Sequence, residues 1–196
     1  DWRPMADIDL LILQPHDRAV DFAFAGAGYC LPPSLLTGWT GLTWKHIEYQ
    51  PCDRIWPVVR EPGEHPAHPR KIEAHFAVRE QYRSLSWDFT DHLLSHITEH
   101  EGVVIPNATA QALHLTVHAS FSVFERKLRI CQLVDLQLRL TSETIQGIVD
   151  VLRASGANRH ARFVYPSLAL LVRFAPVYLH RRFLAALRSH TPTGLV

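Results

Sequence analysis

Sulfur is scarce in this chain, with three cysteines and one methionine among 196 residues. Cys30, Cys52 and Cys131 are odd in number, far apart and without a CxxC pair. That suits reduced thiols in a cytoplasm better than a disulfide framework. An excess of charge of either sign is also lacking. Lys and Arg number 20 against 19 for Asp and Glu, a net charge of +1, so no overall field draws the chain onto nucleic acid or an anionic membrane. Neither an internal repeat nor a low-complexity run occurs. The most apolar segment, residues 163–187, is interrupted by Pro166, Arg173, Pro176, His180, Arg181 and Arg182, whereas a membrane span needs ~20 consecutive apolar residues. It reads as core helices, with an amphipathic surface anchor as the alternative. Nucleophilic catalysis by Cys or Ser has little support, because there is no nucleophile elbow and no Cys and His signature.

What is present is an ordinary globular composition, 47% hydrophobic and 20% charged, in a chain long enough to bury a core. Its most informative run is Asp7-Ile8-Asp9-Leu10-Leu11-Ile12. On an extended strand, side chains two apart share a face, so both acids are expected to project together while Ile8, Leu10 and Ile12 turn to a core. Two carboxylates held this close repel unless a cation neutralises them. Oxygen donors of this kind suit Mg²⁺, which is usually completed by substrate phosphates and waters. The run points towards phosphoryl-group chemistry, and the competing reading is two solvent-face residues of a half-buried strand.

A helix from Pro15 to Gly28 should follow, presenting Ala19, Phe22, Ala23, Gly26 and Ala27 to the sheet. Residues 31–41 read as a loop, Thr43–Gln50 as a strand, and the proline-rich residues 60–70 as a second loop. Lys71–Val78 then alternates cleanly, with Ile72, Ala74, Phe76 and Val78 against Lys71, Glu73, His75 and Ala77. One face of this strand joins a core and the other presents Glu73 and His75. Beyond residue 84 the pattern turns helical. Asn107 is a plausible N-cap for a long helix through Leu113, Val117, Phe121, Phe124, Leu128 and Cys131, with further helices over Leu133–Leu140, Ile145–Leu152 and Ser167–Leu187. The expected fold class is α+β, a small mixed sheet with flanking helices followed by a helical bundle. The expected division is an α/β catalytic part at residues 1–84 and a C-terminal helical part at residues 85–196.

If the two strands are neighbours, Asp7, Asp9 and Glu73 converge, enough to hold two divalent ions about 3.5 to 4 Å apart across a phosphoryl group. His75, two positions from Glu73, and Arg3, four before Asp7, are candidates for contact with phosphate or acceptor. His114 and His118 share a helix face at i, i+4 and could ligate zinc, but no third ligand is evident between them, so a packed or hydrogen-bonding pair is the plainer reading.

The run WRPMADIDLLI, Trp2 to Ile12, resembles the paired-acid signature of the bacterial nucleotidyltransferase-like family, within the polymerase-beta-type nucleotidyltransferase superfamily. KIEAHFAV resembles that family's later strand bearing the third metal ligand, and ALHLTVHASFS and KLRICQLVDLQLRL resemble its helical half. The resemblance covers nearly the whole chain and implies a nucleotidyltransferase fold binding a nucleoside triphosphate, with ATP among the candidates, through Mg²⁺ or Mn²⁺. Position by position, it implies Asp7, Asp9 and Glu73 as metal ligands and Glu73 also as base on the incoming hydroxyl, while Arg3 and His75 remain candidates at the nucleotide from their places in the chain alone, with a solvated surface Arg as the competing reading for Arg3. Glu73 is one methylene longer than the Asp more usual there. Superfamily members carry a Gly-Gly or Gly-Ser turn ahead of the paired acids, where backbone N–H groups hold the triphosphate. The six residues before Asp7 contain none, so the expectation is either a fragment of a longer product or a nucleotide site that has lost a part. The implied reaction is transfer of a nucleoside monophosphate to an unidentified hydroxyl or phosphate on a small molecule, peptide or protein. A nucleic-acid acceptor is not favoured by the small net charge. The rival reading is a non-catalytic relative that acts as a binding or regulatory module.

Overall fold

Burial alternates along the strand that carries Glu73. In the computed structural model, which describes residues 7–12, 18–30, 41–46, 71–156, 160–175 and 177–188, Ile72 and Ala74 of strand Lys71–His75 are buried while the alternate residues Glu73 and His75 are half-exposed. The chain divides into two units, Asp1–Val78 and Arg79–Val196.

The first unit holds β1 (Asp7–Leu11), α1 (Arg18–Gly26), β2 (Tyr29–Cys30), β3 (Gly41–His46) and β4 (Lys71–His75). The strands form a mixed sheet in the order β1-β4-β3-β2. β4 pairs in parallel with β1 and antiparallel with β3. Ile12, Phe24 and Tyr29 pack against Ile72 and Ala74. This corrects the face expected of α1. Phe24 rather than Phe22 reaches the sheet, and Phe22 stays 76% exposed, because helical spacing aligns Phe24 with half-buried Val20 while Ala19 and Ala23 face outward. Leu10, expected in the core, is 37% exposed. It lies on β1, which is the last strand of the sheet among the described residues. β3 begins at Gly41, inside the expected loop, and β4 ends at His75, three residues before the expected end. Residues 47–50 and the expected loops at 31–40 and 60–70 lie outside the described residues.

The second unit opens with two hairpins rather than passing directly into helix. β5 (Arg79–Tyr82) pairs with β6 (Leu85–Asp88), and β7 (Ile97–His100) pairs with β8 (Val103–Pro106). Between them lies α2 (Thr90–Leu94). The second hairpin turns on Glu101 and Gly102, at φ 52° and 77°. Positive φ at both central residues gives the mirror-image turn that matches strand twist. Its strands are almost wholly exposed, so they carry little of the apolar alternation by which a strand is recognised in sequence.

α3 (Ala108–Phe124) is the axis of the helical part, packing against α4 (Ile130–Arg139), α5 (Ser142–Ala154) and α6 (Tyr165–Phe174), with α7 (Tyr178–Arg188) against α6. Asn107 caps α3 as expected, its side chain accepting a hydrogen bond from Ala110 N at 3.1 Å. The helix stops at Phe124 instead of running on to Cys131. Arg126 adopts φ 59°, and Lys127 N donates to Ser122 O at 2.8 Å, the closing bond of a Schellman turn. Leu113, Val117 and Phe121 are buried, and Phe121 stacks on Phe163 at 5.5 Å between centroids. Small residues let α6 approach. Ser167 Oγ donates to Thr116 O at 2.9 Å, and Ser120 Oγ donates to Ser167 Oγ at 2.9 Å, so the polar groups of this buried contact satisfy one another. The fold class is α+β, as expected, and among the described residues no helix is long and apolar enough to cross a membrane.

Candidate functional site

The parallel register of β1 and β4 sets Asp9 opposite Glu73 and Leu11 opposite His75. Burial of Ile72 and Ala74 on one face of β4 obliges Glu73 and His75 to occupy the other, since successive side chains alternate. Two strands far apart in sequence thereby bring Asp9, Glu73 and His75 together, with one ligand atom from each lying within 4.8 Å of the others. His75 Nε2 sits 3.0 Å from Asp9 Oδ1 and 3.7 Å from Glu73 Oε2. The backbone locks this corner, because Ile12 N donates to His75 O at 2.8 Å just past the end of β1.

The three groups differ in exposure. The Asp9 side chain is 63% exposed, against 37% for His75 and 30% for Glu73. Asp9 thus stands outermost, within reach of a dissolved ligand, while Glu73 lies deeper on the central strand. The carboxylate oxygens of Asp9 and Glu73 are donors of the kind Mg²⁺ and Mn²⁺ take. The imidazole edge against Asp9 is the kind of outer contact that orients a ligating carboxylate.

Of the other residues singled out in the sequence, Asp7 takes the first position of β1, in register with Lys71 and two residues ahead of Asp9. Arg3 lies outside the described residues. A second group of possible ligands stands in the other unit, where Glu80 of β5 joins His114 and His118 of α3. The sequence shows the two histidines as an i, i+4 pair, but Glu80 is 34 residues upstream of the first of them in a hairpin whose pattern is weak, and only the fold brings it in.

A family model described as an uncharacterised nucleotidyltransferase matches residues 1–175. No curated protein and no solved structure matches the chain.

Proposed function

The chain belongs to the uncharacterised nucleotidyltransferase family, and on that premise we propose that it transfers a nucleoside monophosphate from a nucleoside triphosphate to an acceptor hydroxyl or phosphate, using the open face of β1 and β4. The observation that carries this reading is the meeting of Asp9, Glu73 and His75 across a parallel strand pair. Family membership already makes the chain a transferase in kind. The finer assignments rest on the chemistry of the residues.

Asp9 and Glu73 offer the oxygens that would hold Mg²⁺ or Mn²⁺, with Asp7, two strand positions before Asp9, as the remaining carboxylate. A bound divalent ion supplies charge neutralisation for the triphosphate and acidifies an acceptor hydroxyl. Glu73, the deeper carboxylate, accepts the acceptor's proton as the acceptor oxygen bonds to the α-phosphorus and pyrophosphate leaves. His75 holds the Asp9 carboxylate in one orientation through its 3.0 Å contact. Arg3, close ahead of the paired acids in sequence, is assigned to a phosphate of the nucleotide. The acceptor is a small molecule, a peptide or a protein.

The test is incubation with each α-labelled triphosphate and Mg²⁺ or Mn²⁺ in the presence of a cell lysate, with γ-labelled triphosphate in parallel. Label from the α position, and not from γ, should enter an acceptor, and Asp9→Asn and Glu73→Gln should each lower this on the order of 10²-fold or more. Transfer that survives Asp9→Asn unchanged would sink the assignment. A folded chain that transfers no label with any triphosphate would favour the non-catalytic relative instead.

A further inference from the structure

Glu80, His114 and His118 lie wholly within the second unit, and the reaction proposed above makes no use of them. Two helical turns of α3 present the histidines one above the other at i, i+4, with ring centroids 6.1 Å apart and nearly edge-on. β5 contributes Glu80, whose Oε1 lies 2.8 Å from His118 Nδ1. One ligand atom from each of the three residues falls within 4.8 Å of the others.

The placement follows from the packing beneath. Glu80 is paired in register with Trp87 of β6, and Trp87 is buried in an aromatic layer with Phe89 and Phe163. His114 rests its ring 6.0 Å from the fully buried Phe89. The strand and the helix are therefore held by a common apolar floor, and the three polar heads gather at its rim. The Glu80 side chain is 22% exposed and that of His118 is 53% exposed, so the group opens to solvent on the histidine side.

We propose that Glu80, His114 and His118 form a transition-metal site, selective for zinc over magnesium, that ties β5 to α3 and leaves one coordination position open to water or an exogenous ligand. Two imidazole nitrogens and one carboxylate oxygen are a zinc donor set, and three protein ligands with a fourth place free is the arrangement of exchangeable rather than closed sites. Magnesium takes oxygen donors and is disfavoured by two nitrogens. Tetrahedral zinc at ~2.0 to 2.2 Å from its ligands sets their mutual distances at roughly 3.4 Å. With an ion bound, the 2.8 Å Glu80–His118 contact would open to that distance, and rotation of the exposed imidazoles would bring His114 to it.

Chelator-treated full-length protein titrated with Co²⁺ should develop the visible absorption of four-coordinate cobalt, displaced by Zn²⁺ and not by a hundredfold excess of Mg²⁺. His114→Ala, His118→Ala and Glu80→Gln should each weaken binding tenfold or more, while Asp9→Asn and His75→Gln, in the other unit, leave the spectrum in place. Zn²⁺ at a hundredfold excess over Kd should raise Tm by roughly 5 to 10 °C in the unmodified chain, and by much less in the three variants. The variants alter exposed or half-exposed residues, and their circular dichroism should match that of the parent. A Co²⁺ spectrum unchanged in folded His118→Ala, or lost in Asp9→Asn but kept in the three variants, or displaced by Mg²⁺, overturns the proposal.

Discussion

His75 Nε2 on β4 stands 3.0 Å from Asp9 Oδ1 on β1 and 3.7 Å from Glu73 Oε2 on its own strand, so its hydrogen bond goes to Asp9 while Glu73 lies alongside. In the reaction proposed above, His75 positions Asp9 and does not touch the reacting atoms. His75→Gln should lower transfer about 10- to 100-fold, chiefly in kcat, with the KM for the triphosphate little changed. A complete kinetic comparison at fixed Mg²⁺ checks this. A variant whose loss lies entirely in KM would point instead to direct contact between His75 and the nucleotide.

Asp88 offers a pH signature. Burial, the largest single influence, pushes its carboxyl up, but hydrogen bonds from the Thr90 hydroxyl and Thr90 N–H, together with Arg79 beside it, outweigh that and hold the group below the ordinary carboxylate range. A carboxyl with a depressed folded value stabilises the fold fully above its unfolded pKa, about 3.9 for Asp, and loses that contribution as pH falls through the lower folded value. The stability difference between the parent and Asp88→Asn should therefore be largest above pH ~4 and shrink on acidification below it. Denaturant midpoints measured from about pH 6 down to 3 would show this, and a constant difference would contradict it.

Gly147 of α5 faces Thr109 at the start of α3 so closely that an added Cβ would lie 2.5 Å from Thr109 Cγ2 and 2.6 Å from its Oγ1. Gly147→Val should destabilise by about 1 to 3 kcal/mol through overpacking. Gly147→Ala carries a helix-propensity gain of about 1 kcal/mol, offset by the same clash. In a Thr109→Ala background most of that gain should reappear, so the two sites should be strongly coupled in a double-mutant cycle of unfolding free energies. Additive effects would mean the helices separate freely at this point.

Arg126 holds the left-handed turn that ends α3, at φ 59°. Glycine meets no Cβ penalty there. Arg126→Gly should stabilise the protein by up to about 1 kcal/mol, read as a higher denaturant midpoint at unchanged slope. A destabilised variant would show that the Arg126 side chain contributes more than its backbone costs.

Much of this could be read from residues alone because the deciding physics is local. The alternation of Ile72, Glu73, Ala74 and His75 fixes which side chains share a face whatever the strand packs against. The cap at Asn107 needs only its neighbour Ala110. The hydrophobic spacing of Leu113, Val117 and Phe121 specifies a helix and its buried side. The α+β class and the place of Asp9, Glu73 and His75 on strands follow from these short-range rules.

Tertiary structure decided what short-range rules leave open. The pairing of β1 with β4 in parallel brings Asp9 to Glu73 across 64 positions of chain, and no spacing in the sequence encodes that register. The end of α3 at Phe124 depends on a turn that Arg126 adopts against its own backbone preference. The hairpin at Ile97–Pro106 buries too little to imprint an apolar alternation, and in Arg79–Asp88 an acid occupies an inward position of the alternation, so Glu80 looks like one more surface acid until the fold sets it against His118. Local periodicity states which way a side chain faces, while the long-range packing of strands and helices, driven by burial elsewhere, states what it meets.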